Sequence, residues 1–169
     1  MMTENQRLHA RKDELIHKLA WYQNYGCYNR GGLEHVKWPE TAHIAKWIVY
    51  FDVNNVHQIN EEYGTYEEVN RRMREVLSKF RTKEIFVALS NSGDEFVVVI
   101  TEEPESQVHE RRQVISPEKV VERLTEELAK QGLTAIFAIE PVKSLLLDDN
   151  IMPAAERVLA AKKARGISR

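Results

Sequence analysis

The chain has 169 residues, 43% hydrophobic and 30% charged, with a formal net charge of −2. That length suits one domain with a real core, and the composition excludes a disordered chain. A charge this close to neutral excludes a surface built to coat a nucleic acid polymer or an anionic membrane. A nucleotide would have to be held locally, by metal and a few basic groups.

Cys27 is the one cysteine, so no disulfide framework can form within the chain, which fits a reducing cytoplasm. It reads either as a reactive thiol or as a small packed side chain. No apolar run approaches the roughly 20 residues that span a bilayer, and the N-terminus is too polar for a secretory signal. The expected location is cytoplasmic.

Residues 3–22 carry Leu8, Leu15, Ile16, Leu19 and Trp21 among charges, the pattern of an amphipathic helix. We expect residues 1–23 to form that helix, packed on its own domain or on a second copy, and residues 24–169 to form the main domain. Gly26, Gly31 and Gly32 mark a turn-rich stretch, with a second helix starting near Asn29. Lys46 to Asp52 is an apolar, β-branched and aromatic run typical of a buried strand, and it ends abruptly in Asp52, Asn54 and Asn55. Thr65 to Phe80 keeps helical spacing through Val69, Met73, Val76, Leu77 and Phe80.

Glu84–Leu89 and Phe96–Ile100 are strand-like runs flanking Ser90-Asn-Ser-Gly-Asp-Glu95, which predicts an antiparallel hairpin. Thr101 to Ser116 reads as a polar surface loop. Ser116 caps a helix opened by Pro117 and ended by Gly132, and Leu133–Ile139 forms another strand. A final helix is expected from about Pro153 to Arg165. The order predicts an α+β domain with a sheet covered by helices.

If the hairpin lies beside the first strand, Asp52, Asp94 and Glu95 converge at one sheet edge. Carboxylates so gathered suit Mg²⁺ or Mn²⁺, hard cations that share their shell with substrate phosphates. Taken singly, each has a plainer reading as a turn acid or helix cap. The six histidines show no zinc spacing.

Asn91-Ser-Gly-Asp-Glu-Phe96 resembles the signature of the GGDEF family, the diguanylate cyclases, with serine for the first glycine. Phe51-Asp-Val-Asn-Asn-Val-His-Gln-Ile-Asn-Glu-Glu-Tyr-Gly64 is similar to that family's F-D-I-D-x-F-K-x-I-N-D-x-Y-G segment. Gly26–Leu33 resembles its opening T-G-L-x-N-R-R-x-L, and Ala155–Gly166 its closing A-D-x-A-L-Y-x-A-K-x-x-G. The resemblance implies a nucleotide-cyclase/polymerase palm of ferredoxin-like type, with a central, mostly antiparallel sheet flanked by helices.

It further implies that Asp52 and Asp94 bind metal with help from the Val53 carbonyl, and that Glu95 assists catalysis. The backbone at Asn55, Val56 and His57 would cradle phosphate, and Asn60 falls on the base-reading asparagine. Ser92 and Gly93 lie in the signature turn against the nucleotide, Gly93 serving either close approach or a positive φ. Lys163 would reach the phosphates. GTP, ATP or both are the implied partners. Two chains would face each other as a homodimer during catalysis, and a downstream receptor would read the cyclic product.

Several positions depart from the family. Val69 stands where an aspartate helps grip guanine, so either Glu67 or Glu68 compensates from a shifted helix register, or the pocket prefers adenine or accepts either purine. Asn54 replaces the second acid of D-x-D, and His57 a lysine, as a phosphate contact or a solvated turn residue. Ser90 replaces a basic residue before the signature. Arg81-Thr-Lys-Glu84 only loosely echoes the R-x-x-D inhibitory motif. These departures suit either a functional relative with altered base choice, such as the minimal CRISPR-polymerase type that shares this palm, or a degenerate nucleotide-binding or protein-interaction module.

Overall fold

The computed structural model describes residues 1–80, 82, 84–90, 94–102 and 115–166. Within these, α1 (Glu4–Ala20) leads through the two-residue strands β1 (Trp21–Tyr22) and β2 (Cys27–Tyr28) into a composite helix. That helix comprises α2 (Arg30–Gly32), a π-helical turn (Leu33–Lys37) and α3 (Trp38–Thr41). Next come β3 (Ala45–Val53), α4 (Val56–Tyr63), α5 (Glu67–Ser78), β4 (Ile85–Leu89) and β5 (Glu95–Thr101). The chain closes with α6 (Pro117–Lys130), β6 (Ala135–Pro141) and α7 (Leu147–Ala164).

The strands form a six-stranded sheet in the order β1-β2-β4-β5-β3-β6. Every pairing is antiparallel except β2 with β4. The architecture is therefore the α+β sheet with covering helices expected from the sequence. From Ile48 onward β3 is buried on both faces, and its run Trp47–Phe51 is accordingly apolar rather than alternating.

On one face, Val49, Phe51, Phe96 and Val98 pack with Met73 and Leu77 of α5 and Leu124 and Leu128 of α6. Phe51 and Phe96 stack there at 5.0 Å between ring centroids. On the other face, Ile48, Tyr50, Val97 and Val99 meet Leu33 and Trp38 and the α7 stripe Leu147, Ile151, Ala154 and Val158. The period of two along each strand thus assigns Tyr50, Asp52, Glu95 and Val97 to the α7 face.

The structure refines the boundaries. α4 is a separate helix that the sequence reading missed: Asn55 makes no side-chain cap to it, and Ile59 is its one buried residue. α7 starts at Leu147, ahead of Pro153, which sits inside the helix. Its first turn forms without a side-chain cap, so Pro153 looked like the start. α6 matches closely, with the Ser116 hydroxyl accepting from the Lys119 N–H. On α1, Leu8, Leu15, Ile16 and Leu19 are exposed.

α1 is joined to the domain at its C-terminal end. The Asn29 side chain caps α2 and donates to the Leu19 carbonyl. A Cβ placed on Gly32 would lie 2.2 Å from the Ala20 carbonyl oxygen, whereas one on Gly31 would meet only the Asn29 Oδ1 at 3.4 Å. Gly32→Ala should therefore lower the unfolding free energy by about 1–3 kcal/mol, as overpacking does. Gly31→Ala, at an exposed helical position, should leave it unchanged or raise it slightly. Urea denaturation of the two variants checks this, and equal effects would contradict it.

Candidate active site

β3 pairs with β5 so that Asp52 stands opposite Glu95, and the Val53 N–H donates to the Asp94 carbonyl at 2.9 Å. This register carries the three carboxylates to one end of the two central strands. Asp52, Asp94 and Glu95 each offer an oxygen within 4.8 Å of the others. Asp52 is 2% exposed and Glu95 7%. Three like charges so close, two of them buried, are held apart from water only if cations or hydrogen-bond donors compensate.

Two compensations are present. The Tyr50 hydroxyl donates to Glu95 Oε2 at 2.9 Å, and burial together with the Glu95 charge pushes that phenol above its ordinary pKa. Lys162, 6% exposed as a residue, places its ammonium 2.9 Å from Asp52 Oδ2. Burial pushes the Asp52 carboxyl up from its usual range, the Lys162 hydrogen bond pulls it back, and Asp94 and Glu95 push it up again. The second oxygen, Asp52 Oδ1, is buried without a hydrogen-bond partner among the described residues. A hard divalent cation would satisfy that oxygen with the chemistry it prefers, so the donor set fits Mg²⁺ or Mn²⁺.

The other residues singled out in the sequence fall around this edge. Asn55, Val56 and His57 form the entry to α4 just beyond β3, so their backbone N–H groups belong to a helix N-terminus. Asn55 anchors that junction, its side chain donating to the Gly132 carbonyl and accepting from the Thr134 N–H. His57 is exposed and pairs with Glu61 at 3.0 Å. Asn60 keeps a buried side-chain oxygen with no partner among the described residues. Ser92, Gly93 and Arg81 lie outside the described residues.

Val69 is 1% exposed and packs in the core beside Met73 and Phe80. Glu68 cannot readily replace a base-reading acid. It accepts from Arg71 at 2.7 Å and Arg72 at 2.9 Å, and these guanidiniums hold its carboxyl at about 2.

The sequence reading chose Lys163 as the basic group of α7, yet Lys163 is exposed and Lys162 faces Asp52. The signal that finds Lys162 is the helix period: Leu147, Ile151, Ala154 and Val158 form the buried stripe, and three- and four-residue steps extend it to 162. Tyr50 was missed too, although its two-residue offset from Asp52 places both on one face of β3.

A buried ion pair has a specific thermodynamic signature. Lys162→Met should destabilise the fold by about 3–5 kcal/mol, because it strands the Asp52 charge beside two other carboxylates. Adding Asp52→Asn should return a substantial part of that loss. A urea-denaturation double-mutant cycle tests the coupling, and strictly additive effects would contradict it.

No described sequence family and no curated protein matches the chain. Solved structures do. Diguanylate cyclase SiaD from Pseudomonas aeruginosa, in complex with its activator SiaC, superposes with a TM-score of 0.63 at 17% identity, over 96% of this chain and 66% of SiaD. The coiled coil and GGDEF domain of DgcB from Caulobacter crescentus, in complex with c-di-GMP, gives 0.62 at 14%, over 96% and 90%. A sensory box/GGDEF family protein from Caulobacter crescentus CB15 gives 0.61 at 17%, over 86% and 99%. The chain spans about two thirds of SiaD and nearly the whole of the other two. The six-stranded sheet, its covering helices and these superpositions together make this a GGDEF-like fold.

Proposed function

We propose that the chain binds a purine nucleoside triphosphate at the Asp52 end of the sheet and, as a pair of chains, condenses two of them into a cyclic dinucleotide second messenger. The observation that carries this reading is the orphaned, buried Asp52 Oδ1 within the Asp52, Asp94 and Glu95 cluster. A scaffold has no physical need to bury such an acceptor beside two further acids.

Each 3′-hydroxyl gives up its proton to solvent as its oxygen forms a bond to the α-phosphorus of the nucleotide on the facing chain. The bond from that phosphorus to the bridging oxygen breaks, and pyrophosphate leaves with the electron pair. A divalent metal held by Asp52, Asp94 and the Val53 carbonyl would supply charge neutralisation at the α-phosphate and lower the pKa of the attacking hydroxyl.

The chain's own groups do the rest. Glu95, steadied by the Tyr50 hydroxyl, holds negative charge beside the attacking end. The N–H groups at Asn55, Val56 and His57 meet phosphate oxygens at the start of α4. Asn60 presents its unpaired oxygen to a donor on the base. Lys163, exposed on α7, reaches the outer phosphates. The active unit is then a homodimer, since one site holds one triphosphate.

Val69 provides no carboxylate for the N–H donors of guanine, and Glu68 is committed to Arg71 and Arg72. Guanine therefore loses a partner typically worth about 1–3 kcal/mol, which brings adenine into competition. A second reading is a nucleotide-binding module without turnover, and the Lys162 ammonium on Asp52 favours it.

Incubation with Mg²⁺ or Mn²⁺ and each triphosphate, singly and mixed, followed by mass spectrometry, separates the two. Turnover should give a cyclic product that includes adenine and disappears in Asp94→Ala. No product in any mixture, with Asp94→Ala binding nucleotide as well as wild type, contradicts catalysis. A product containing guanine alone contradicts the inference from Val69.

A further inference from the structure

The carboxylate cluster already contains a cation. Lys162 projects from α7 with 6% of its surface exposed, and its ammonium stands 2.9 Å from Asp52 Oδ2. In the closing segment matched above, A-D-x-A-L-Y-x-A-K-x-x-G, Ala155 to Gly166 aligns the family's lysine with Lys163 and its preceding alanine with Lys162. The buried ammonium is thus additional to the basic group which that pattern supplies.

Its position has a direct consequence for metal binding. Of the cluster's carboxylate oxygens, Asp52 Oδ2 is taken by Lys162 and Glu95 Oε2 by the Tyr50 hydroxyl. A dication drawn to Asp52 Oδ1 would sit within a few ångströms of a buried like charge, where screening is weak. To enter alone, it would have to drive the ammonium from Asp52 and leave it buried without that carboxylate. A triphosphate changes the balance. Its oxygens bring negative charge to the same edge and accept from an ammonium on a flexible four-carbon stem.

We propose that Lys162 is a resident cation that keeps free divalent metal out of the cluster, so that metal is taken up together with the triphosphate. On arrival the ammonium transfers from Asp52 to a phosphate oxygen, and Asp52 becomes available to the metal. This rests on the proposed nucleotide-binding function of the site. It makes Lys162 a positioning residue, one that sets the order of binding.

Calorimetric titration of the full chain tests the proposal, with Mn²⁺ alone and with preformed Mn²⁺ complexes of α,β-methylene GTP and ATP analogues. Wild type should bind Mn²⁺ alone at least ten-fold more weakly than it binds the better complex. Lys162→Ala should bind Mn²⁺ alone at least ten-fold more tightly than wild type, while Lys162→Arg should stay weak. Lys162→Gln, which keeps a donor on Asp52 without charge, replaces the alanine variant if that fails to fold.

Equal affinity for Mn²⁺ alone in wild type and in the uncharged variant overturns the role of Lys162 and leaves the proposed function standing. Failure of every variant to bind either complex removes the proposed function, and with it the coupled uptake.

Discussion

The pairing of β3 with β5 in the register that sets Asp52 opposite Glu95 is the constraint on which the rest of the site depends. Side chains alternate between faces along a strand, so a slip of one residue would turn Asp52 toward the Met73 and Leu77 core and Phe51 toward α7. The stacked Phe51 and Phe96, buried with Val49 and Val98, make that slip costly. The apolar core on one face therefore fixes where the acids stand on the other. Tyr50 and Lys162 then act on a cluster that packing has already assembled.

That cluster combines features that pull in opposite directions. Buried like charges disfavour ionisation, while an ammonium on Asp52 and a phenol on Glu95 favour it. The result is a set of oxygen donors that is compensated yet not saturated, because Asp52 Oδ1 stays without a protein partner among the described residues. On α5, by contrast, Val69 is part of the core and the Glu68 carboxylate is ion-paired with Arg71 and Arg72. The two halves differ in chemistry: one gathers three carboxylates, while the other offers an apolar side chain and a carboxylate already paired. That contrast is what supports the proposed phosphate-handling site with relaxed base choice.

How much of this could be read in advance depended on how local each signal was. β3, the β4–β5 hairpin and α6 announce themselves through apolar runs, turn residues and the Ser116–Pro117 cap, and they appear where expected. The carboxylates were legible because they fall at the end of β3 and the start of β5. α4 was not, since eight residues with one buried position and no side-chain cap carry little helical signal. The start of α7 was obscured by Pro153, which the helix accommodates internally. Lys162 continues the helix period of Leu147, Ile151, Ala154 and Val158, a stripe that is cut short when the helix is taken to begin at Pro153.

The most direct test of the account is the anomalous scattering of Mn²⁺ in crystals grown with a non-hydrolysable triphosphate. Density for Mn²⁺ against Asp52 Oδ1 and Asp94, with the Lys162 ammonium moved onto a phosphate oxygen, is the predicted result. Nucleotide seated at this edge with no Mn²⁺ on Asp52, and Lys162 still paired to it, would contradict the account.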